Sequence, residues 1–342
     1  GRAGTALMRP DARLPRKLEL PAHPRFKGFE AFAEREIVPH LAEKEAERRA
    51  ALRRAKLTGG ATALIAALLL AVSIGVFEWG ALFSLFAFGL VPAIVGGLLA
   101  LLPLARFQSS IGDFLLAKTC AHLGLRHTGA APGLSLERFR AARLLPQYDS
   151  HHFEDGIEGD APDLAFRAAE ASITQSRSNS DGGSDEETAW RGLLVEVPAP
   201  RRFQGRTLVI PARGAVERFF DQRDAERISL GLGELEEGLE IRTTDAGEAR
   251  AVLTARVMRR LAELARRLGR ERPALALIDD SVLLAIPSER DRFRAASAFA
   301  PVDAAPALER LAADIGQLLD LAEALGDALG PPRASPGLRS PG

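Results

Sequence analysis

The chain has 342 residues, with 45 basic and 45 acidic side chains and a hydrophobic fraction of 46%. This length suggests two or three structural units, because domains commonly span about 100–200 residues. The charges are unevenly placed, since residues 1–56 carry 14 basic and 8 acidic side chains and residues 57–105 carry a single charge, Glu78. The lone cysteine, Cys120, excludes an intramolecular disulfide framework and any CxxC zinc or redox site. It therefore favours a reducing cytoplasm for the polar parts.

The composition also argues against nucleic-acid binding. The basic residues are 40 arginines and only 5 lysines, accompanied by abundant alanine, which is typical of a genomic compositional bias. Because no patch of one sign dominates the polar part, we expect no nucleic-acid partner.

The nearly uncharged region 57–105 predicts two membrane spans. Leu57–Phe77 has 21 residues without a charge, and Trp79–Ala105 has 27. A single helix over the whole region would be about 73 Å long, whereas the hydrocarbon core of a bilayer is about 30 Å thick. Glu78, Trp79 and Gly80 provide a charge, an interfacial aromatic ring and a flexible residue for a turn. We therefore expect a two-helix transmembrane hairpin, and the 56 residues before it argue against a signal peptide.

Small residues at four-residue spacing lie along both predicted spans and allow close approach of helix backbones in a bilayer. They favour packing of the two spans against each other, and oligomerisation through one stripe is the alternative. Neither span contains an ionisable residue, which argues against proton or ion coupling there. The small residues are Ala63, Ala67, Ala71 and Gly75 in the first span, and Gly89, Ala93 and Gly97 in the second.

Basic residues flank the hairpin on one side only. Six lysines and arginines lie in the Lys44–Lys56 run before the first span, Arg106 and Lys118 follow the second, and the turn has none. The positive-inside rule therefore places both termini in the cytoplasm and the turn outside. The Lys44–Lys56 run is also a candidate for contact with anionic lipid headgroups, at about 1 kcal/mol per cation. A solvated juxtamembrane helix is the alternative interpretation of this run.

The remaining polar sequence divides into four segments around the membrane region. Residues 1–25 are predicted to be a flexible N-terminal arm, and residues 26–56 a juxtamembrane amphipathic helix. Residues 106–145 are predicted to be a helical connector, with helices over 107–125 and 134–145. Residues 330–342, rich in Pro, Gly and Ser, are predicted to be a disordered tail. The apolar positions of the juxtamembrane helix are Phe29, Phe32, Ile37 and Leu41.

Residues 146–329 predict a cytoplasmic α+β domain with a mixed, mainly antiparallel sheet and packed helices. Strand character begins near Gly156, and two extended segments flank the Ser/Asp-rich stretch Gln175–Glu187. This pattern predicts a long hairpin with a mobile tip. A second, tight hairpin is predicted around Asp279–Ser281. The predicted strands after Gly156 are Leu164–Thr174, Thr188–Val197, Arg206–Ile210, Leu239–Thr243, Ala274–Ile278 and Val282–Ile286.

Two long helices are predicted in the same domain. The first has Thr254 as its N-cap, ends at Gly269 and carries arginines on its outer face. The second, Ala304–Leu329, has a coiled-coil-like apolar seam and an acidic outer face. Because like charges disfavour self-pairing, we expect this seam to pack on the domain's own sheet or beside the arginine-rich helix, within one subunit or between subunits. The seam residues are Leu308, Leu311, Ile315, Leu318, Ala322, Leu325 and Leu329, and the arginines are Arg256, Arg259, Arg260, Arg266 and Arg267.

The sequence lacks the motifs of common catalytic and cofactor sites: it has no P-loop, GxGxxG, GxSxG or HExxH. His151 and His152, followed by Glu154 and Asp155, are the only cluster of metal-capable side chains. Adjacent histidines on a regular element point in different directions, so a polar loop is favoured over a metal site.

Three further features have ordinary explanations. The Gly231–Gly238 stretch has the wrong spacing for a phosphate cradle. The paired carboxylates Asp279 and Asp280 fit turn chemistry, and Trp190 fits a core or interface residue better than a ligand platform. We therefore predict no catalytic, cofactor-binding or metal-binding residues, and no cofactor.

Four ordered stretches of the cytoplasmic region resemble a bacterial membrane-protein family catalogued as domain of unknown function 3137. The N-terminal helix and the two-span hairpin have a similar layout, so the resemblance runs from about residue 26 to 325. Ala255 stands where a proline is expected, which affects helix capping only, and residues 175–187 resemble a variable insertion. The resemblance implies a membrane-anchored cytoplasmic domain and brings no known activity or catalytic residues. The four stretches are Leu145–Gly159 (LPQYDSHHFEDGIEG), Trp190–Ile210 (WRGLLVEVPAPRRFQGRTLVI), Leu239–Leu264 (LEIRTTDAGEARAVLTARVMRRLAEL) and Ala276–Pro287 (ALIDDSVLLAIP).

These observations favour a two-pass protein of the bacterial inner membrane whose cytoplasmic domain is an interaction or scaffold module, with a protein partner or self-association. The alternative is a homo-oligomeric channel or mechanosensing assembly of two-span subunits, although neither span has a polar pore-lining face. A hydrolase using His151, His152 or Asp155 is a third hypothesis. The loop 175–187 and the arginine-rich helix at 255–268 are candidate binding surfaces.

Overall fold

The structure is a computed structural model that describes residues 14, 16–76, 90–130, 133–161, 164–178, 184–212, 225–268, 273–288 and 304–329. The described residues group into two compact units. One is drawn from residues 1–18, 28–115 and 294–309, and the other from residues 19–27, 116–293 and 310–342. The predicted turn Glu78–Gly80 and the predicted tail 330–342 lie outside the described residues, as does most of the N-terminal arm.

The first unit is built on a long N-terminal helix. The short helix α1 (Phe29–Phe32) continues through a π-helical turn (Ala33–Ile37) into α2 (Val38–Val76). Phe29, Ala33, Ile37 and Leu41 are all buried. Their spacing is four residues throughout, and the wide π turn keeps such a row on one face. A helix with a buried row of residues is therefore present in the predicted segment, but Ala33 and not the predicted Phe32 belongs to this row, since Phe32 is only half-buried.

The C-terminal part of α2 is apolar and exposed. Leu57 is 73% exposed, Leu64 72% and Leu68 65%. Among the described residues, one helix, within Pro24–Val72, is long and apolar enough to cross a membrane. A second helix, α3 (Val91–Leu123), follows, and Ile94 and Val95 near its start are about half exposed. Helix α3 runs without a break through the predicted end of the second span at residue 105.

The second unit contains a nine-stranded sheet in the order β1-β2-β3-β4-β9-β8-β5-β7-β6, and every pairing among the described strands is antiparallel. The predicted α+β class is thus confirmed, whereas the sheet, predicted to be mixed and mainly antiparallel, is wholly antiparallel among the described strands. The strands are β1 (Arg126–Gly129), β2 (Ser150–Ala161), β3 (Leu164–Ser178), β4 (Ser184–Pro198), β5 (Thr207–Pro211), β6 (Glu226–Ile228), β7 (Leu239–Thr243), β8 (Ala274–Ile278) and β9 (Ser281–Pro287).

Strands β2, β3 and β4 extend beyond their predicted limits, and β1 and β6 were not predicted. Strand β2 begins at Ser150, so the residues predicted as a polar loop before Gly156 belong to the sheet. In the β3–β4 hairpin, Gln175 pairs with Glu187 and Ser178 with Ser184, so most of the predicted loop 175–187 is strand. Ladder hydrogen bonds join backbone groups. A two-stranded ribbon therefore continues through polar residues that carry no hydrophobic signal.

Both faces of the central strands are buried. On one face, Leu194, Leu283 and Ala276 belong to a core cluster with the short helix α4 (Leu136–Ala141) and the residues after it, Ala142, Leu144 and Leu145. On the other face, Leu193, Leu284 and Leu275 are buried as well. Two-sided burial explains why β4, β8 and β9 read as continuous apolar runs and do not alternate.

The second unit also contains the helices α5 (Ala246–Val252) and α6 (Ala255–Leu268) and residues 310–329 of α7 (Ala304–Leu329). Helix α6 contacts β9, and Thr254 caps it by accepting a hydrogen bond from the Val257 N–H at 3.3 Å. Helix α7 has the predicted bounds, but its outer face was predicted wrongly. Leu319, Leu321 and Ala324, outside the predicted seam, are buried together with it, so α7 is a core helix.

Candidate functional site

Four ring-bearing side chains form a partly exposed patch on the sheet face that α4 covers. Tyr148, Phe153 and Trp190 are half-buried against the core cluster, and His151 is exposed. The His151 ring packs edge-on against Tyr148 and Phe153, with centroid distances of 5.7 Å and 5.5 Å. We name these four residues the aromatic patch.

The strand register places the aromatic patch on one face. His151 pairs with Ile173, which pairs with Trp190, so these three side chains form one row across β2, β3 and β4. The next row on the same face contains Phe153 and ends at Gly192. A Cβ atom at Gly192 would lie 2.2 Å from the Ile286 carbonyl oxygen. A glycine is therefore required here, and no side chain stands beside Trp190 at position 192.

The chemistry of the aromatic patch suits contact with a protein. Tyrosine and tryptophan provide large apolar areas with a polar end, and they are enriched among the residues that dominate binding energy at protein interfaces. Of the patch, the sequence analysis singled out Trp190 and His151. Tyr148 and Phe153 were missed, because only the strand register brings them beside the other two.

The paired histidines do not converge on one site. His151 and His152 are neighbours on strand β2 and therefore point to opposite faces of the sheet. His152 lies 3.5 Å from Glu154, which is 3.6 Å from Arg191. Asp155 has a φ of 50° and lies 3.9 Å from the His127 ring. Strand β2 thus keeps His152 beside Glu154 but places His151 on the opposite face of the sheet.

The paired aspartates of the β8–β9 turn do more than shape the turn. Asp279 accepts a hydrogen bond from Arg202 at 2.7 Å, and Asp280 accepts one from Arg138 at 2.6 Å. Partial burial acts to raise the pKa of Asp280, but the hydrogen bond and positive charge of Arg138 outweigh it, and the pKa is lowered.

Arg138 also donates a hydrogen bond to the buried Glu196, which is 3% exposed. Ser281 donates a second hydrogen bond to this carboxylate at 3.0 Å. Glu196 interrupts the apolar run of β4, and a charge in such a run is the sequence signal that could have revealed this network.

A further cluster joins His23, Asp320 and Glu323, whose ligand-capable atoms lie within 4.8 Å of one another. His23 is buried, and its Nε2 lies 2.8 Å from Glu323. Its Nδ1 accepts the Arg25 N–H at 3.3 Å, so the hydrogen-bond pattern places the ring proton on Nε2. A metal would need the Nε2 lone pair, and Arg260 already lies 3.4 Å from Asp320. The cluster therefore fits a hydrogen-bonded clamp better than a metal centre.

This clamp holds residues 19–27, the N-terminal strap, on helix α7. Phe26 is buried, and a Cβ atom added at Gly316 of α7 would lie 2.7 Å from Pro21. Arg25 donates a hydrogen bond to the Leu123 carbonyl at 3.0 Å. No sequence pattern predicts the clamp, because His23 and Glu323 are 300 positions apart.

Two ion pairs connect helices α6 and α7. Arg256 binds Asp327, and Arg260 lies 3.4 Å from Asp320. Arg260 has a raised pKa, caused by its hydrogen bond to Glu263 and, against opposing partial burial, by the charge of Asp320. The seam of α7 was predicted to pack on the domain's own sheet or beside the arginine-rich helix. The two ion pairs bring α7 beside that helix within one chain, through acidic residues outside the seam. Arg256 and Arg260 are therefore committed to an internal contact.

In the Gly231–Gly238 stretch before β7, the backbone N–H groups bind a side-chain carboxylate of the same loop. The Glu236 carboxylate accepts hydrogen bonds from the Leu230 and Leu232 N–H groups at 2.9 and 2.5 Å. Burial acts to raise the pKa of Glu236, but these backbone hydrogen bonds outweigh it, and the pKa is lowered. An internal carboxylate thus takes the position that a bound phosphate would need.

A search of curated proteins found no significant match. The structure is similar to the crystal structure of the mycobacterial trehalose monomycolate transport factor A, TtfA, with a TM-score of 0.30 and 11% sequence identity, over 67% of this chain and 97% of that one. Residues 188–326 match the model of the family described as protein of unknown function (DUF3137). The resemblance predicted from the sequence is therefore confirmed: over residues 188–326, this chain resembles that family.

Proposed function

We propose that the protein is anchored in the bacterial inner membrane by a two-span hairpin and that its cytoplasmic α+β domain is an interaction scaffold. The anchoring rests on the exposed apolar surface of α2. Residues 57–76 of α2 are 20 residues long, about 30 Å of helix, which matches the hydrocarbon thickness of a bilayer. Large apolar side chains at exposures above 70%, such as Leu57 and Leu64, have no internal partner. A lipid environment would cover them.

The second span of the proposed hairpin is the N-terminal part of α3. Val91, Ile94 and Val95 are 40–52% exposed, and no charged residue occurs between Glu78 and Arg106. The basic residues before the first span and after the second support cytoplasmic placement of both ends.

Cysteine labelling in intact cells tests this topology. In a Cys120→Ser background, Gly80→Cys should react with a membrane-impermeant thiol reagent added from outside. Ser184→Cys in the same background should react only after lysis, because position 184 lies in the β3–β4 hairpin of the domain proposed to be cytoplasmic. Labelling of Ser184→Cys in intact cells would overturn the orientation.

The aromatic patch carries the scaffold proposal. It presents four rings on one sheet face at the base of the β3–β4 hairpin, and three of them are anchored in the core cluster. Rings fixed in this way lose little conformational entropy on binding, which is a property of interface anchors. The residues that could have supported catalysis, His151, His152 and Asp155, are distributed over two faces and a bulge. We therefore favour binding of a protein over a reaction.

Photo-crosslinking in cells tests the aromatic patch with a matched pair of positions. A benzoyl-phenylalanine residue replaces His151 in one variant of the full chain and the adjacent His152 in another. We expect an adduct with a protein partner from position 151 and none from position 152, because the two side chains lie on opposite faces.

The Trp190→Ala change, made in the position-151 variant, should abolish that adduct. An adduct of twice the mass of the chain would identify self-association through the patch. Equal adducts from both positions, or no adduct from position 151, would refute the proposed interaction surface.

A further inference from the structure

The structure describes the side chains of five of the six basic residues before the first span, and these five are not equivalent. Lys44 is paired with Glu47 at 2.7 Å, and Arg49 with Glu45 at 3.0 Å. Arg53, Arg54 and Lys56 are exposed, and among the described residues none of these three has a carboxylate partner. Internal ion pairs therefore neutralise part of the basic run, and they leave three free cations at its C-terminal end.

The depth of the three free cations also distinguishes them. They lie within four residues of Leu57, where the apolar half of α2 begins, which corresponds to about 6 Å along a helix. The headgroup layer on each side of a bilayer is about 5–8 Å thick. Lys44, 13 residues before Leu57, lies about 20 Å from it. The free cations thus coincide with the headgroup layer, whereas the paired Lys44 lies beyond it.

The arrangement of the free cations suits a phosphate group. Arg53 and Lys56 are three residues apart on a helix, which places them as neighbours on one face. Arg54 lies about 100° further around the helix, so it faces another side and would contact a separate lipid. An arginine fork and an ammonium group can both donate to phosphate oxygens. No acidic residue occurs from Arg48 to Phe77, so nothing within this segment of the helix competes for the cations.

We propose that Arg53, Arg54 and Lys56 form a binding surface for the phosphate of anionic phospholipids in the cytoplasmic leaflet. This inference rests on the proposed membrane insertion of α2. It assigns the lipid contact to three of the six cations, on the two independent grounds of ion pairing and depth. Such a contact would fix the height of α2 in the bilayer and favour anionic membrane regions.

Spin-labelled lipids test the proposal on the full chain reconstituted in phosphatidylcholine vesicles. The measured quantity is the association of labelled phosphatidylglycerol with the protein relative to labelled phosphatidylcholine. We expect a preference for phosphatidylglycerol that decreases at high salt. The triple variant Arg53→Gln/Arg54→Gln/Lys56→Gln should lose this preference, with a decrease of up to about fivefold per cation.

The matched control is Lys44→Gln/Arg49→Gln, which removes two cations of the same helix and should retain the preference. A preference that is unchanged in the triple variant, or lost equally in the control, would overturn the proposal. Soluble glycerol phosphate added at millimolar concentration should not displace the labelled lipid, and displacement would show a site for free phosphate and overturn the lipid assignment.

Failure of the membrane anchor is distinguishable from failure of the lipid contact. If α2 does not insert, the protein will not associate with the neutral vesicles at all and no motionally restricted lipid of either kind will be seen. If it inserts without a headgroup site, both labelled lipids will be restricted to the same extent.

Discussion

The network of Arg138, Glu196 and Ser281 allows a quantitative test of what holds helix α4 on the sheet. Glu196 is 3% exposed and receives hydrogen bonds from Arg138 and Ser281. Removing one partner of a buried ion pair leaves an uncompensated charge and typically costs about 3–5 kcal/mol. Because 34% of the Arg138 side chain is exposed, water can solvate part of the pair. We therefore expect the lower end, about 3 kcal/mol, for Arg138→Met.

The matched control lies two residues further along α4. Arg140 pairs only with the exposed Glu137 at 2.7 Å among the described residues, so Arg140→Met should cost less than about 0.5 kcal/mol. Both changes remove one arginine from the same short helix. They differ in the burial of the carboxylate partner and in the further hydrogen bonds that Arg138 donates to Asp280 and Ser281. For a unit of this size, each kcal/mol lowers the melting temperature by about 2–4 °C.

Thermal unfolding of the full chain in detergent, followed by intrinsic fluorescence, measures both variants. A decrease of about 6–12 °C for Arg138→Met and no more than about 2 °C for Arg140→Met is the expected outcome. The double variant Arg138→Met/Glu196→Leu should recover most of the loss, because an apolar replacement of a buried pair is often neutral. Similar decreases for the two single variants would refute the reasoning.

Three further predictions concern packing, thiol reactivity and pH. Gly316→Ala should destabilise the second unit, because the added methyl group displaces the N-terminal strap. Gly326→Ala on the same helix adds a Cβ atom in open space and should stabilise the unit by about 0.5–1 kcal/mol. The melting temperatures of the two variants test both expectations. Burial raises the pKa of Cys120 to about 12, so maleimide should modify it slowly in the native protein at pH 7 and rapidly in urea, and equal rates would contradict the burial. The pKa of Asp280 is lowered in the folded protein, so its stabilising contribution is fully present above its unfolded pKa of 3.8 and is lost as the pH falls through the folded value. In the Asp280→Asn variant, the melting temperature should therefore decrease less between neutral and acidic pH than in the unmodified protein.

Local sequence patterns determined the helices and much of the sheet. Helix α7 has the predicted limits, Ala304 and Leu329, and α6 begins after the predicted N-cap. These features depend on side chains three or four positions apart, which the sequence displays directly. Of the two membrane spans predicted in the uncharged region, the described residues contain one helix that is long and apolar enough to cross a membrane. This requirement is one of length and composition, which the sequence displays directly.

The limits of the β3–β4 hairpin and the surroundings of α7 were decided by tertiary structure. Backbone hydrogen bonds extend both strands of the hairpin through polar residues. A prediction from hydrophobicity therefore made the two strands too short on the side of the turn. The seam of α7 was visible, but its burial on further sides depends on elements distant in sequence. An acidic residue on such a helix indicates a solvent-exposed face only when no other element packs there. In α7, Asp320 forms an ion pair with Arg260, and Glu323 forms a hydrogen bond with His23.

The candidate site shows the same division. Sequence identified Trp190, His151 and the two turn aspartates as residues of interest, but it assigned them no partners. Strand register alone placed Trp190 and His151 in one row with Ile173 and moved His152 to the opposite face. The arginine partner of Asp280 comes from a helix 142 positions away. The sequence shows which chemical groups are present. The distances between the groups of a site depend on the fold of the whole chain, because contacts between residues far apart in sequence leave no local pattern.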